Sequence, residues 1–308
     1  LQRLHLDKRG TTVIDGVFVG LSTIDVIYHV QDFPAANAKV AARSQKLIVG
    51  GPATNAAITF SRLGGRATLV AAVGRHPFAG IIRDELERFG VQLIDLSPDF
   101  KDAPAISSIA VDDAGRRNVI SANAAPIDIP PAAVDRRVCE QARILLVDGH
   151  AMQACQAWAG AAKELGGPVV FDGGSWKDGT EELLKSVHTA ICSADFAPPE
   201  CKSKRELVRF LWGRGVGNVA LTHGAEPVLF FTEEKAGEVP VPQVEAIDTV
   251  GAGDIFHGAF CYFYAAGKSF EAALEAAAGI AAESCRYHGT REWMEHFSSG
   301  RGGAGAIN

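Results

Sequence analysis

The 308-residue chain carries 30 Lys+Arg against 36 Asp+Glu, a formal net charge of -6, and 47% of its residues are hydrophobic. That balance excludes a basic field for a nucleic-acid backbone or an anionic membrane and favours a small-molecule partner. The hydrophobic share is what a buried sheet requires and excludes a globally disordered chain.

The first ten residues, LQRLHLDKRG, are charged where a secretory leader needs an apolar run, and no later stretch stays apolar for a membrane span. The cysteines, Cys139, Cys155, Cys192, Cys201, Cys261 and Cys285, form no CxxC pair and no zinc spacing with histidine. Together these features predict a cytoplasmic protein with reduced thiols.

In chain order, the apolar run 13–21 reads as a buried strand that ends in GLSTID and delivers Asp25 to the strand end. Small and apolar residues at helical spacing follow over 53–63, opened by Pro52 and stopped by Gly64-Gly65. Strand and helix patterns then alternate: 68–73 and 80–89, later 144–147, 153–165, 169–171, 181–187, 189–193, 204–212 and 219–222. That rhythm predicts an α/β, doubly wound, mostly parallel sheet with helices on both faces, in one domain over 1–308.

Two stretches break the rhythm. Residues 26–49, and 105–111 with 118–122 around Asp112-Asp113-Ala114-Gly115, read as strands joined by short turns, a small β-sheet lid over about 26–49 and 105–122. A hairpin-like run at 228–231 and helices over 252–266 and 270–287 close the fold, and the glycine-rich tail 298–308 is expected to be mobile. No internal repeat is present.

The chemistry concentrates in DTVGAGDIFHGAF, residues 248–260. Gly251, Ala252 and Gly253 allow backbone N–H groups close to an anion at a helix N-terminus, and Asp254 in the first turn is placed to accept a hydroxyl proton. Proton loss is late in phosphoryl transfer, so position counts for more than basicity. Taken alone, the cluster fits a tight turn as well as an anion site.

The whole stretch resembles the C-terminal signature of the PfkB/ribokinase family of carbohydrate kinases, and Gly50-Gly51-Pro-Ala-Thr-Asn55 resembles the family's first signature. The resemblance runs from about residue 17 to residue 289. It implies a ribokinase-like fold, Asp254 as catalytic base, and Gly251, Ala252 and Gly253 as the anion hole. It further implies that Asp25, Gly50, Gly51 and Asn55 bind the sugar, although Asp25 also fits an Asx turn and Asn55 a helix-start hydrogen bonder.

On the nucleotide side, Thr222-His223-Gly224 resembles the family's TxG turn, with Gly253 beside the phosphates, but Pro227 stands where a further glycine is usual. Where the family carries Asn-x-x-Glu, this chain has Ser193-Ala194-Asp195-Phe196 and then Glu200, either acid being a candidate to act on Mg²⁺ through water or a solvated loop residue. The resemblance makes Asp248 a candidate ligand for a monovalent cation such as K⁺. His223 is a candidate nucleotide contact, and His257 reads as a packed residue.

Around Asp25 to Tyr28, Phe33-Pro34, Lys39 and DIFHGA the chain resembles ketohexokinases and sulfofructose kinases. A lid ammonium at Lys39 would favour a sulfonate or phosphate on the sugar. Against that, His150 stands where the subgroup implies arginine, leaving Arg116, Arg117 and Asn123 to compensate. The leading expectation is transfer of the ATP γ-phosphate to a sugar hydroxyl, ketose or furanose, with Mg²⁺ and a lid that excludes water. Alternatives are a nucleoside kinase and a non-catalytic sugar-binding or regulatory protein; GLSTID in place of GxGxxG argues against a nicotinamide-dependent dehydrogenase. Exposed lid edges predict a homodimer.

Overall fold

The apolar runs become strands whose successive side chains enter two different cores, one on each face of a large sheet. The computed structural model describes residues 13–113, 116–121 and 134–297. Its strands are β1 (Asp15–Val19), β2 (Thr23–His29), β3 (Ser44–Gly50), β4 (Arg66–Ala71), β5 (Gln92–Asp95), β6 (Ile106–Val111), β7 (Arg117–Ser121), β8 (Ile144–Val147), β9 (Val169–Gly173), β10 (Thr189–Ser193), β11 (Asn218–Thr222), β12 (Val228–Phe231) and β13 (Ala236–Val239). The helices are α1 (Pro52–Arg62), α2 (Ala79–Arg88), α3 (Arg136–Gln141), α4 (Met152–Glu164), α5 (Thr180–Leu184), α6 (Lys204–Trp212), α7 (Ala252–Ala265), α8 (Phe270–Ser284) and α9 (Trp293–His296).

Nine strands form one sheet in the order β13-β12-β11-β10-β9-β8-β1-β4-β5. Neighbours from β11 to β5 pair in parallel, and β12 and β13 add an antiparallel edge. Phe18, Leu69, Leu146, Val170 and Ile191 pack on one face against α1, α2, α7 and α8, with Phe60, Ile82, Phe260 and Ala277 in that core. Their strand neighbours Val17, Val70, Leu145, Phe171 and Cys192 pack on the other face with Trp158 of α4, Leu184 of α5 and Leu211 of α6. This period-two split places helices on both faces, as the alternation predicts.

A second sheet, β3-β2-β6-β7, is mixed: β2 runs antiparallel to β3 and parallel to β6, and β6 runs antiparallel to β7. Here one expectation is corrected. Asp25 does not end the first strand; β1 stops at Val19, the chain turns at Gly20 to Ser22, and Asp25 is the third residue of β2. The turn is fixed because Gly20 N–H donates to Val70 O (3.0 Å) and Leu21 N–H to the Asp148 carboxylate (2.8 Å). The second sheet therefore begins at residue 23, not 26. Helix α8 stops at Ser284, earlier than 287, and the Cys285 carbonyl beyond it accepts from the N–H groups of Ile247 and Asp248. The expectations for Ala114-Gly115, for Asn123 and for the tail 298–308 lie outside the described residues.

One packing contact positions the site. Helices α1 and α7 cross so closely that a Cβ on Gly258 would strike the Ala56 carbonyl. A side chain there would force the helices apart, and the crossing sets the first turn of α1 against the first turn of α7.

Candidate active site

The polar residues gather at the carboxyl ends of the parallel strands, where α/β sheets bind ligands. Asp148 follows β8, Asp172 lies within β9, and Ser193 and Thr222 end β10 and β11. Asp148 is buried, and its carboxylate accepts from the N–H groups of Leu21 (2.8 Å), Ala53 (3.2 Å) and His150 (2.8 Å). The N-cap of α1, Gly51, has no side chain to offer, so Asp148, just past the end of β8, caps that helix through the Ala53 N–H. Each of those donors left unpaired would cost about 1–3 kcal/mol.

At the start of α7, Gly251 adopts φ 70°, and any Cβ there would collide with Thr290 Cγ2. That left-handed cap turns the chain sharply into the helix. The N–H groups of Gly251 and Gly253 meet no acceptor among the described residues, and Ala252 N–H reaches only Thr249 O at 3.3 Å. Bare amides at a helix N-terminus fit an anion, with about half a unit charge of helix dipole behind them.

Asp254 stands in the first turn beside these amides, half-buried. Asn55 Nδ2 donates to its Oδ2 at 2.7 Å. Burial pushes the Asp254 carboxyl up to about 7; the Asp172 charge adds to the rise, while the Asn55 hydrogen bond and His257 oppose it. Asp172 is buried and itself raised by desolvation, with His257 Nδ1 3.5 Å from its Oδ2. The buried His257 side chain also lies 2.7 Å from Gly253 O and 3.3 Å from Ile191 O, a packed residue that ties α7 to β10.

On the second sheet, Asp25 shares one face with its register partners Ile48 and Ser107 and with Ser121, which pairs with Ser107. Thr23 Oγ1 donates to Asp25 Oδ1 at 2.9 Å, and burial raises the Asp25 carboxyl. A Cβ on Gly50 would sit on that carboxylate, and one on Gly51, at φ 98°, would strike the Leu21 carbonyl, so each of the paired glycines answers to a different neighbour. Asn55 is buried with both ends of its amide engaged: its Oδ1 accepts from Arg291 Nη1 at 3.0 Å.

The remaining predicted residues distribute unevenly. Thr222 and His223 line a cavity of about 310 Å³ with Phe196, Leu207, Leu221 and Leu229, while Gly224 turns away at φ 57° on the exposed loop. Asp195 and Glu200 are exposed loop acids. Asp248 clamps two segments, accepting from Val250 N–H (2.9 Å) and Gly289 N–H (2.8 Å). Lys39 lies on the exposed connection between β2 and β3 and bonds to no described residue. Arg116 is committed to Asp112 at 2.6 Å, and Arg117 is exposed on β7.

Sequence reasoning missed Asp148, Asp172 and Arg291. The two aspartates had a signal, an acid that closes a fully apolar strand, in ILLVD and VVFD. Arg291 had none, because it sits in a turn just beyond the recognisable motifs.

Residues 15–296 match the sequence profile described as pfkB family carbohydrate kinase. The deoxyribokinase of Salmonella typhi is 26% identical over 309 residues, covering 90% of this chain and 94% of that protein. The ATP-dependent ribose-1-phosphate kinase of Halopiger xanaduensis is 28% identical over 277 residues, covering 87% of this chain and 90% of that protein. Among solved structures, the ribokinase of Arabidopsis thaliana complexed with ribose and ATP gives a TM-score of 0.76 at 21% identity, covering 93% of this chain and 100% of that one, a likeness of fold.

The environment of Asp254 sets a measurable expectation. With aspartate carboxyl carbons labelled by ¹³C and the resonance assigned through Asp254→Asn, this group should titrate near pH 7 in the free protein. A midpoint near 4 would contradict the burial and charge described above.

Proposed function

The chain belongs to the PfkB family of carbohydrate kinases, and from that premise we propose that it transfers the γ-phosphoryl group of ATP to a primary hydroxyl of a furanose or ketose-type sugar. As a family member it is a phosphotransferase with an alcohol group as acceptor. The observation that carries the reading is the pairing of the Asp254 carboxylate with the unbonded N–H groups of Gly251 and Gly253 at the start of α7.

In this reading Asp254 accepts the acceptor-hydroxyl proton, and Gly251, Ala252 and Gly253 stabilise the charge that gathers on the transferred phosphoryl oxygens. Asp25, seated against Gly50, binds vicinal hydroxyls from the second sheet, and the second Nδ2 hydrogen of Asn55 remains for a substrate oxygen. The sheet acts as the lid, excluding water that would otherwise take the phosphoryl group. The base of ATP occupies the cavity lined by Thr222 and His223, the exposed turn at Gly224 following them, with Gly253 beside its phosphates. Among the described residues no cluster of acids, histidines and cysteines makes a protein-only metal site. Mg²⁺ bound to the nucleotide phosphates would neutralise their charge, with Asp195 or Glu200 acting on it through water. We assign K⁺ to the neighbourhood of Asp248.

Deoxyribokinase and ribose-1-phosphate kinase among the relatives favour the furanose form of the acceptor. For an anionic substituent on the sugar, such as a sulfonate, Lys39 on the connection between β2 and β3 is a cation unpaired with any described residue, whereas Arg116 is held by Asp112.

A second copy of the chain is the partner we propose for the second sheet. Val26, Leu47, Ser108 and Ile120 share the face opposite Asp25, and Leu47 and Ile120 are 50% and 76% exposed. The edge strands β3 and β7 pair with no further strand among the described residues, and a symmetric pairing of this sheet would cover the apolar face and an edge together.

Two measurements test these assignments. In an assay of ADP formation with 2-deoxy-D-ribose, D-ribose, D-fructose and adenosine, one of the sugars should be phosphorylated. The acid limb of kcat/KM should turn at about pH 7 and fall about tenfold per pH unit well below it, as Asp254 gains its proton. Asp254→Asn should lower kcat by at least about 1000-fold with KM for ATP little changed; near-normal turnover in that variant rules Asp254 out as base, and adenosine as sole acceptor rules out the sugar. Light scattering of the wild type should give a dimer mass and Ile120→Asp a monomer; a wild-type monomer at working concentration removes the second copy.

A further inference from the structure

Arg291 holds the most densely bonded guanidinium in the site, and the reading so far gives it no task. Nε donates to Glu85 Oε1 at 3.0 Å and Nη2 to Val49 O at 3.0 Å. Nη1 donates to Asn55 Oδ1 at 3.0 Å, to Thr290 Oγ1 at 2.8 Å and to Thr290 O at 3.3 Å. Its contacts thus reach α2, the end of β3, α1 and its own turn at once. Burial works against the charge, and Glu85, Asp254 and Asp25 support it.

The consequential contact is the one with Asn55. A guanidinium has donors and no acceptor, so the oxygen of the Asn55 amide must face it. The amide nitrogen is thereby turned to Asp254 and donates to Oδ2 at 2.7 Å. Rotating the amide by half a turn would set two oxygens against each other at Asp254 and NH₂ against guanidinium at Arg291, a double penalty in a buried place. Asp254 is left with one oxygen held and the other, Oδ1, for the acceptor hydroxyl.

We infer that Arg291 is a positioning residue for phosphoryl transfer: acting through Asn55, it fixes which oxygen of Asp254 serves as the base, and through Val49 it locks the same network to the strand end that carries Gly50 beneath Asp25. The inference rests on the reading of Asp254 as the base. The bond to Val49 O joins the base to the root of the second sheet, so the sugar-binding carboxylate and the proton acceptor are registered by one side chain.

The groups that set the Asp254 charge come from each element packed against it. Asp172 on β9 and Asp148 beyond β8 oppose ionisation, and Asn55 on α1 and His257 on α7 favour it. Arg291 reaches this set through Asn55. Its loss removes a nearby positive charge and frees the Asn55 amide to turn, and both changes favour the protonated acid.

The test uses the full chain with Arg291→Gln, Arg291→Lys and Arg291→Gly, and Glu85→Gln as a control that removes the guanidinium's counter-ion without touching Asn55. The ¹³C titration of Asp254 should move to higher pH by about one pH unit in Arg291→Gln, and the acid limb of kcat/KM should move with it. At the pH optimum kcat should fall about 100-fold with KM for ATP within about threefold, because the loss is one of alignment. Millimolar guanidinium should restore part of the activity of Arg291→Gly, and Glu85→Gln should retain the wild-type titration. Arg291→Lys keeps the charge without the fork and supplies the same readouts should the glutamine variant fail to fold. An unmoved Asp254 titration and an unmoved acid limb in the folded variants, even with lower thermal stability, would assign Arg291 a structural role only and overturn the inference. The titration needs neither sugar nor ATP, so absence of sugar-dependent ADP formation in the wild type defeats the kinase reading while this arm still judges the arginine.

Discussion

The hydrogen bond from Asn55 to Asp254 spans 199 residues of sequence and joins the first turns of two helices. It exists because α1 and α7 approach to backbone contact at Ala56 and Gly258, a distance that only glycine permits. Move the helices apart by the width of a methyl group and the amide no longer reaches the carboxylate. In the proposed reading the helix crossing is a catalytic dimension as well as a packing one, since a displacement of about 1 Å is enough to cost about two orders of magnitude in rate.

The same corner resolves an electrostatic conflict. Asp148, Asp172 and Asp254 bring three carboxylates to one sheet edge, and burial opposes the charge on Asp172 and Asp254. Asp148 is compensated by three backbone N–H groups and serves architecture, fixing the β1–β2 turn and the start of α1. Asp172 has His257. Asp254 keeps one amide hydrogen bond and a helix N-terminus, enough to orient it and too little to hold it in the ordinary carboxylate range. A carboxyl raised in this way is a better proton acceptor than a solvated one, and it lies beside amides suited to the developing phosphoryl charge.

Much of the fold was legible because strand periodicity and helix punctuation are local. The runs at Ile144–Val147 and Thr189–Ser193 became strands with those same limits. The place of Asp25 was misread because GLSTID marks the turn after β1 but not the strand that follows it: the turn at Gly20 to Ser22 is held by Asp148, a residue 127 positions from Leu21, and β2 is recognised by its pairing with β3 and β6. The short strands β5 and β13 and helix α3 went unread for a related reason: each is only 4 to 6 residues long and is recognised by its neighbours in space. Within the site, the glycines and Asp254 were legible through motif and helix start together. Arg291 was not, since its importance lies wholly in contacts with residues 49, 55 and 85.

In the proposed reading the amides of Gly251 and Gly253 and the Asp254 carboxylate face a common phosphoryl position. The most direct measurement records the backbone amide resonances of the two glycines while ADP, Mg²⁺ and aluminium fluoride, a planar mimic of the group in flight, are added with the accepted sugar. Both amides should move strongly downfield, and Asp254→Asn should leave those shifts in place while turnover is lost. Resonances that stay where they are in the free protein, under conditions where the mimic is bound, would place the phosphoryl group away from these amides.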